Sequence, residues 1–191
     1  MKIGLFFGSF NPIHIGHLAL ANYFVEYSDI DKLWFVVSPQ NPFKERKTLL
    51  ADNQRLYMVR LAIENMPEKY FASNIEFEMP KPSYTIDTLT YLKEKYPDKE
   101  FILIMGADNL VNLHKWKNYE EIIKNHKIYV YPRPEADLSQ IKTEADFKIF
   151  DAPLIEISSS FIRNSINNSK DVRFFMPEGV AKYVEEMNFY K

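Results

Sequence analysis

The sequence predicts an α/β fold: a doubly wound, mostly parallel sheet with helices on both faces. Three observations lead there. Continuous apolar runs, which read as strands buried on both sides, alternate with amphipathic stretches at helical spacing. The first apolar run ends in Gly8-Ser9 and leads into a helix start. No internal repeat, low-complexity tract or linker interrupts the alternation, so residues 1–191 read as one domain.

The elements follow in order. Lys2–Phe7 reads as a buried strand and Gly16–Tyr27 as a helix. Leu33–Val37 is a second strand, ended by Ser38-Pro39. Asp52 suits an N-cap for a helix to about Asn65, with Leu56, Val59, Ala62, Ile63 and Met66 at helical spacing and Pro67 as the stop. Phe71–Phe77 alternates like a strand. Thr85–Tyr96 is helical and ends before Pro97. Phe101–Met105 is a continuous apolar strand, Tyr119–Lys124 a short helix and Ile128–Tyr131 the next strand. A late strand is expected within Ile149–Ile157. Two final helices, Ser159–Ile166 and Pro177–Met187, would pack on the domain. Glu135–Lys148, the most polar stretch, is expected to be a mobile loop.

Composition narrows the function. A chain of 191 residues can bury a substantial core, and 46% hydrophobic with 26% charged residues is ordinary for a soluble globular protein. A net charge of −2 gives no general attraction to nucleic acid or membrane, so neither is expected as a partner. With no cysteine there is neither a disulfide scaffold nor a thiolate nucleophile, which agrees with a reducing cytoplasm. No signal-peptide pattern is visible, and no apolar stretch approaches the ~18 residues of a membrane span. A cytoplasmic location is expected. Self-association into a homo-oligomer is left open.

The richest stretch runs from Ile3 to Leu18: Gly8-Ser9-Phe10-Asn11-Pro12-Ile13-His14-Ile15-Gly16-His17 follows the first strand. The end of a first strand is where phosphate-bearing ligands bind in open α/β sheets, and a helix N-terminus there offers N–H groups to an anion. A histidine beside a helix start is ordinarily just solvated. A His-x-x-His pair could be half of a zinc site, but no cysteine completes it and only His114 and His126 remain, so no metal ligands are assigned. Gly16, between two histidines, has no side chain to keep a flat base from the backbone.

This segment resembles the Gly-Ser/Thr-Phe-Asp-Pro-x-His-x-Gly-His signature of the nucleotidyltransferase superfamily, with Asn11 where Asp is more usual. That superfamily has a Rossmann-like domain and transfers AMP or CMP from a nucleoside triphosphate. A second stretch, Ile157-Ser158-Ser159-Ser160-Phe161-Ile162-Arg163, clusters hydroxyls before a helix with an arginine one turn in. By itself it reads as a serine cap with a solvated arginine. It is similar to the superfamily's Ile-Ser-Ser-Thr-x-x-Arg motif, which grips the triphosphate. A third, Ser38-Pro39-Gln40-Asn41-Pro42-Phe43-Lys44, delivers a lysine from a Pro-rich turn. It matches the family's Pro-x-x-Pro-Pro-His-Lys only in part, with Phe43 for His. Lys44 is taken as a phosphate ligand, Arg46 and Lys47 as solvated.

Two further segments select a branch. Pro82-Ser83-Tyr84-Thr85-Ile86-Asp87-Thr88-Leu89 and Gly106-Ala107-Asp108 with His114-Lys115-Trp116 resemble bacterial nicotinate-nucleotide adenylyltransferases. The resemblance implies AMP transfer from ATP to nicotinate mononucleotide, with release of nicotinate adenine dinucleotide and pyrophosphate, in NAD biosynthesis. The catalytic group would be His14, His17, Lys44 and Arg163. ATP would lie along Gly8, Ser9, Phe10, His14, Gly16, His17, Gly106, Asp108, Ser159, Ser160 and Arg163. Lys44, Tyr84, Thr85 and Trp116 would take the acceptor, with backbone N–H groups near Thr85 and Trp116 on its carboxylate. Mg²⁺ would arrive with ATP, since no carboxylate cage is visible for it. Asp87 reads about as well as a first-turn acid, and Trp116 as a core aromatic. Three rivals stand beside this reading: an adenylyltransferase for nicotinamide mononucleotide or phosphopantetheine, a class I aminoacyl-tRNA synthetase fragment, and a non-catalytic nucleotide-binding regulator. The missing Lys-Met-Ser-Lys-Ser-like loop and basic excess oppose the synthetase; the intact motifs oppose the regulator.

Overall fold

A computed structural model of the chain describes residues 1–39, 49–134, 136–141 and 146–191. Lys44, with Phe43, Arg46 and Lys47, lies outside the described residues, as does part of the Glu135–Lys148 loop.

The strands are β1 (Lys2–Gly8), β2 (Lys32–Val37), β3 (Tyr70–Ser73), β4 (Glu100–Gly106), β5 (Ile128–Tyr131) and β6 (Phe147–Ile149). All pair in parallel, in the order β3-β2-β1-β4-β5-β6. The chain therefore winds outward from β1 to β3, then returns to lay β4 against β1 and winds the other way. In register, Gly4 faces Leu33 and Ile102, and Phe6 faces Phe35 and Ile104. The winding reverses between β1 and β4, and the crevice beyond their carboxyl ends is where such sheets take ligands.

The two faces carry separate cores, divided by strand alternation. On β4, Ile102 and Ile104 join Phe24, Phe35, Leu56, Val59, Val180 and Val184 on one side. Phe101, Leu103 and Met105 join Leu89, Leu92, Leu110 and Ile122 on the other. The first side is covered by α1 (Ile15–Tyr27), α2 (Asp52–Ile63), α6 (Ser159–Asn167) and α7 (Glu178–Glu186). The second is covered by α3 (Thr85–Lys95), α4 (Ala107–Val111) and α5 (Tyr119–Asn125). The helix α7 lies on α2, with Tyr183 edge-on to Tyr57 at 4.9 Å between ring centres. No helix among the described residues is long and apolar enough to cross a membrane.

Three expectations need correction. Asp52 is not the N-cap of α2; Ala51 is, and Asp52 opens the first turn. Its carboxylate takes Arg55 and Lys81 instead of helix N–H groups. The third strand stops at Ser73, because the next residues turn, with Phe77 N–H on the Asn74 carbonyl at 2.9 Å, and carry Glu76 into the interior. The late strand is Phe147–Ile149, earlier than expected. Its ladder runs out after Phe150 N–H reaches the Val130 carbonyl, because Tyr131 ends β5 and Pro132 and Pro153 have no N–H to continue it. The short helix α4 was also missed. Its five residues are too few to show a period, and its one cue is Gly106-Ala107-Asp108 at a strand end.

Candidate active site

The loop after β1 folds over Phe10, whose ring is buried while its backbone takes φ 45°. A bulky side chain rarely adopts that left-handed region. The ring sits beneath Gly8, where a Cβ would come within 2.7 Å of it. Its edge meets the His17 ring at 5.1 Å and Phe35 at 5.6 Å. The Phe10 ring thus belongs to the core.

His14 caps α1 and His17 is its third residue. Their rings stack with centres 3.7 Å apart. The His14 backbone N–H donates to His17 Nδ1 at 3.2 Å. With Nδ1 accepting, the proton of a neutral His17 ring sits on Nε2, which makes that nitrogen a donor. His14 is 4% exposed, and its Nδ1 is buried without a hydrogen-bond partner among the described residues. Burial, then the Arg133 charge, pushes its pKa down from 6.5 to about 4. An unpaired buried ring nitrogen costs free energy and suits a ligand that would satisfy it. At Gly16 a Cβ would strike Ile155 at 2.7 Å and the His14 ring at 3.0 Å. The bare backbone there makes room for the Ile155 and His14 side chains.

The second motif docks onto the first. Ser158 caps α6 by accepting from Phe161 N–H at 3.1 Å. Ser159 Oγ donates to the Pro12 carbonyl at 2.9 Å, so its hydroxyl proton is taken by the protein. Arg163 donates to the Asn11 carbonyl at 2.9 Å and to Ser160 Oγ at 3.1 Å, which leaves the Ser160 proton able to point outward. The backbone N–H groups of Ser159 and Ser160, in the first turn of α6, have no carbonyl within the helix to serve.

Behind both lies Arg55 of α2, fully buried. It donates to the carbonyls of Ser9 (2.6 Å), Ser38 (2.9 Å), Leu50 (3.0 Å) and Pro39 (3.4 Å), and to Asp52 (2.6 Å). One guanidinium so ties the β1 loop to both ends of the segment that carries Lys44. Sequence reasoning missed it: among the apolar positions of α2 it looks like a solvated charge, and no local signal marks which loops will converge on it.

The second set of residues surrounds the end of β4. Gly106 closes that strand, and a Cβ there would crowd the side chains of Asp108 and Arg133, the latter at 3.2 Å. Asp108, on α4, lies 4.0 Å from Arg133. Arg133, just past β5, donates to the Tyr131 hydroxyl at 3.3 Å and was not foreseen. Tyr84 caps α3 and Thr85 opens it, so the Thr85 N–H lacks an intrahelical acceptor. Trp116 is half-buried at the rim of the second core. Its N–H is already given to the Leu113 carbonyl at 2.9 Å, which removes it from the donors expected for a carboxylate. Lys117 stands over the Tyr84 ring at 4.6 Å and pairs with Asp87 at 3.0 Å, a cation that sequence reasoning passed over. Glu76, 2% exposed, accepts from Ser83 at 2.8 Å and Thr88 at 2.7 Å and so holds this turn from within. Burial raises its pKa, while bonds from Thr88, Ser83 and Ser38 pull the other way.

A family profile described as "Cytidylyltransferase-like" matches residues 5–165. The chain is 54% identical over 193 residues to the "Probable nicotinate-nucleotide adenylyltransferase" of Flavobacterium johnsoniae, covering all of both chains. It is 47% identical to the protein of the same name from Bacteroides fragilis, over 96% of this chain and 90% of that one. Its fold is like that of Plasmodium falciparum nicotinic acid mononucleotide adenylyltransferase complexed with NaAD, with a TM-score of 0.82 and 21% identity, covering 99% of this chain and 97% of that one. With the profile spanning most of the sequence and relatives aligned along its whole length, the chain belongs to the cytidylyltransferase-like family, in the branch of the nicotinate-nucleotide adenylyltransferases.

Proposed function

We propose that this protein transfers AMP from ATP to nicotinate mononucleotide, giving nicotinate adenine dinucleotide and pyrophosphate. The observation that carries the reading is the stacked His14–His17 pair at the β1–β4 crevice, where the His14 backbone N–H occupies His17 Nδ1 and so sets the tautomer of that ring. The full-length likeness to nicotinate-nucleotide adenylyltransferases supports the choice of acceptor.

The acceptor phosphate is an anion at neutral pH and needs no general base. Its oxygen attacks the α-phosphorus in line, the bond from that phosphorus to the β-phosphate oxygen breaks, and pyrophosphate carries away the negative charge. Catalysis then rests on positioning and on donors aimed at the shifting charge. On this reading His17 Nε2–H and His14 serve the α- and β-phosphates. Arg163, Ser160 and the first-turn N–H groups of α6 hold the triphosphate, with Lys44 adding charge. Gly8, Ser9, Phe10 and Gly16 line the nucleotide through their backbone, while Gly106 and Asp108 meet the ribose. Tyr84, Thr85 and Trp116 take the pyridine nucleotide. Mg²⁺ would arrive on the ATP oxygens, with water completing its shell.

The test is product formation with ATP and Mg²⁺ on nicotinate mononucleotide, nicotinamide mononucleotide and phosphopantetheine in parallel. Strong preference for the nicotinate form is expected. Preference for another acceptor would discard the assigned pocket, and failure with all three would discard the activity.

A further inference from the structure

The side chain of Asn11 is 1% exposed and sits at a junction. Its Oδ1 accepts the Tyr190 hydroxyl at 2.8 Å and the Leu50 N–H at 3.3 Å. Its carbonyl accepts Arg163 at 2.9 Å. Three parts of the chain therefore meet on one residue of the β1 loop: the start of α2, the arginine of α6 and the segment that follows α7.

That last segment is folded back by its own backbone. Asn188 takes φ 52°, and Phe189 N–H returns to the Val184 carbonyl at 3.1 Å, the pairing that closes a helix through a left-handed residue. Phe189 is buried, edge-on to Tyr183 at 5.4 Å. Tyr190 also takes a left-handed backbone, φ 67°. A bulky residue is strained there, and the conformation persists only where surrounding contacts hold it. Its ring packs on the first core, and its hydroxyl is aimed at the β1 loop. Burial, opposed by the charges of Arg163 and Arg55, keeps the hydroxyl protonated and hence a donor.

We propose that Tyr190 is a positioning residue for the nucleotide site, holding Asn11 so that the loop carrying His14 and the carbonyl that seats Arg163 keep their places. It rests on the adenylyl-transfer reading, touches no substrate and acts only through Asn11. An amide at position 11 accepts both donors without setting a carboxylate beside Arg163.

The test is Tyr190→Phe, which removes one oxygen and leaves the ring to pack, alongside Asn11→Ala and the double variant. Three quantities are read: kcat, KM for nicotinate mononucleotide, and affinity for a non-hydrolysable ATP analogue. Tyr190→Phe should lower kcat and analogue affinity by about five- to tenfold, the worth of one buried hydrogen bond, and leave the acceptor KM unchanged. The double variant should match Asn11→Ala within about twofold, because both remove the same link. Wild-type kinetics and affinity in Tyr190→Phe, with only a lowered Tm, would overturn the proposal, as would losses that multiply in the double variant. A wild-type protein that neither binds the analogue nor turns over would overturn the activity reading, and this proposal with it.

Discussion

Behind the β1 loop lies a buried cation, Arg55; behind the first turn of α3 lies a buried carboxyl, Glu76. Arg55 grips main-chain carbonyls directly and keeps its charge at any working pH. Glu76 reaches the turn before α3 through the hydroxyls of Ser83 and Thr88. The outer contacts differ in the same way. At the β1 loop Ser159 and Arg163 bond to its carbonyls. At the start of α3 the exposed Lys117–Asp87 pair is worth little. The backbone of the β1 loop is therefore fixed from several directions, whereas the turn before α3 is held through side chains.

The largest effect should come from breaking the rigid side at its root. Arg55→Met would orphan the Ser9, Ser38 and Leu50 carbonyls and leave the Asp52 carboxylate with Lys81 alone, lowering unfolding free energy by about 3–5 kcal/mol in urea titration. A loss under about 1 kcal/mol would show that the loops hold themselves.

His17→Ala should lower turnover by roughly 10²–10³ while the Tm moves only a few degrees, since it removes one transition-state donor from an intact loop. Turnover within about threefold of wild type would end that role.

The third test uses pH. Because the folded pKa of His14 is lowered from 6.5 to about 4, the unfolded chain binds the extra proton first as pH falls. Stability attributable to this ring is intact above pH 6.5 and is lost on the way down to about pH 4, by at most about 3 kcal/mol. His14→Gln should flatten that stretch of a stability-against-pH curve. An unchanged slope would mean that other groups set it.

The smallest effect probes the other side. Trp116→Ala should raise KM for the pyridine nucleotide by about tenfold and leave KM for ATP alone, in line with one lost aromatic stacking contact. Equal rises in both would make Trp116 a core residue.

Much of this was legible in order along the chain. The runs at Ile3–Phe7, Leu33–Val37 and Phe101–Met105 are continuous and apolar because both faces of those strands are covered, and each is a strand of the parallel sheet. Elements failed to read where the cause was distant. Phe71–Phe77 alternates correctly but ends early, because Glu76 is needed inside. Asp52 looks like a cap but serves Arg55 and Lys81. Ser159 looks like a phosphate donor, yet its proton goes to Pro12.

Periodicity and turn residues by themselves determined the α/β class and most of the strands that build the sheet, because each depends on neighbours within a few residues; the candidate site loops were marked by the resemblance of their motifs to a known family. Only the three-dimensional structure decided that Arg55 clasps the loops, that the His14 N–H occupies His17 Nδ1, that the Trp116 backbone N–H is already spent and that Tyr190 closes on Asn11. The Arg55 and Tyr190 contacts join residues tens to hundreds apart, and the other two depend on the local turn of the backbone. A hydrogen bond is settled by position and burial, which residue type does not disclose.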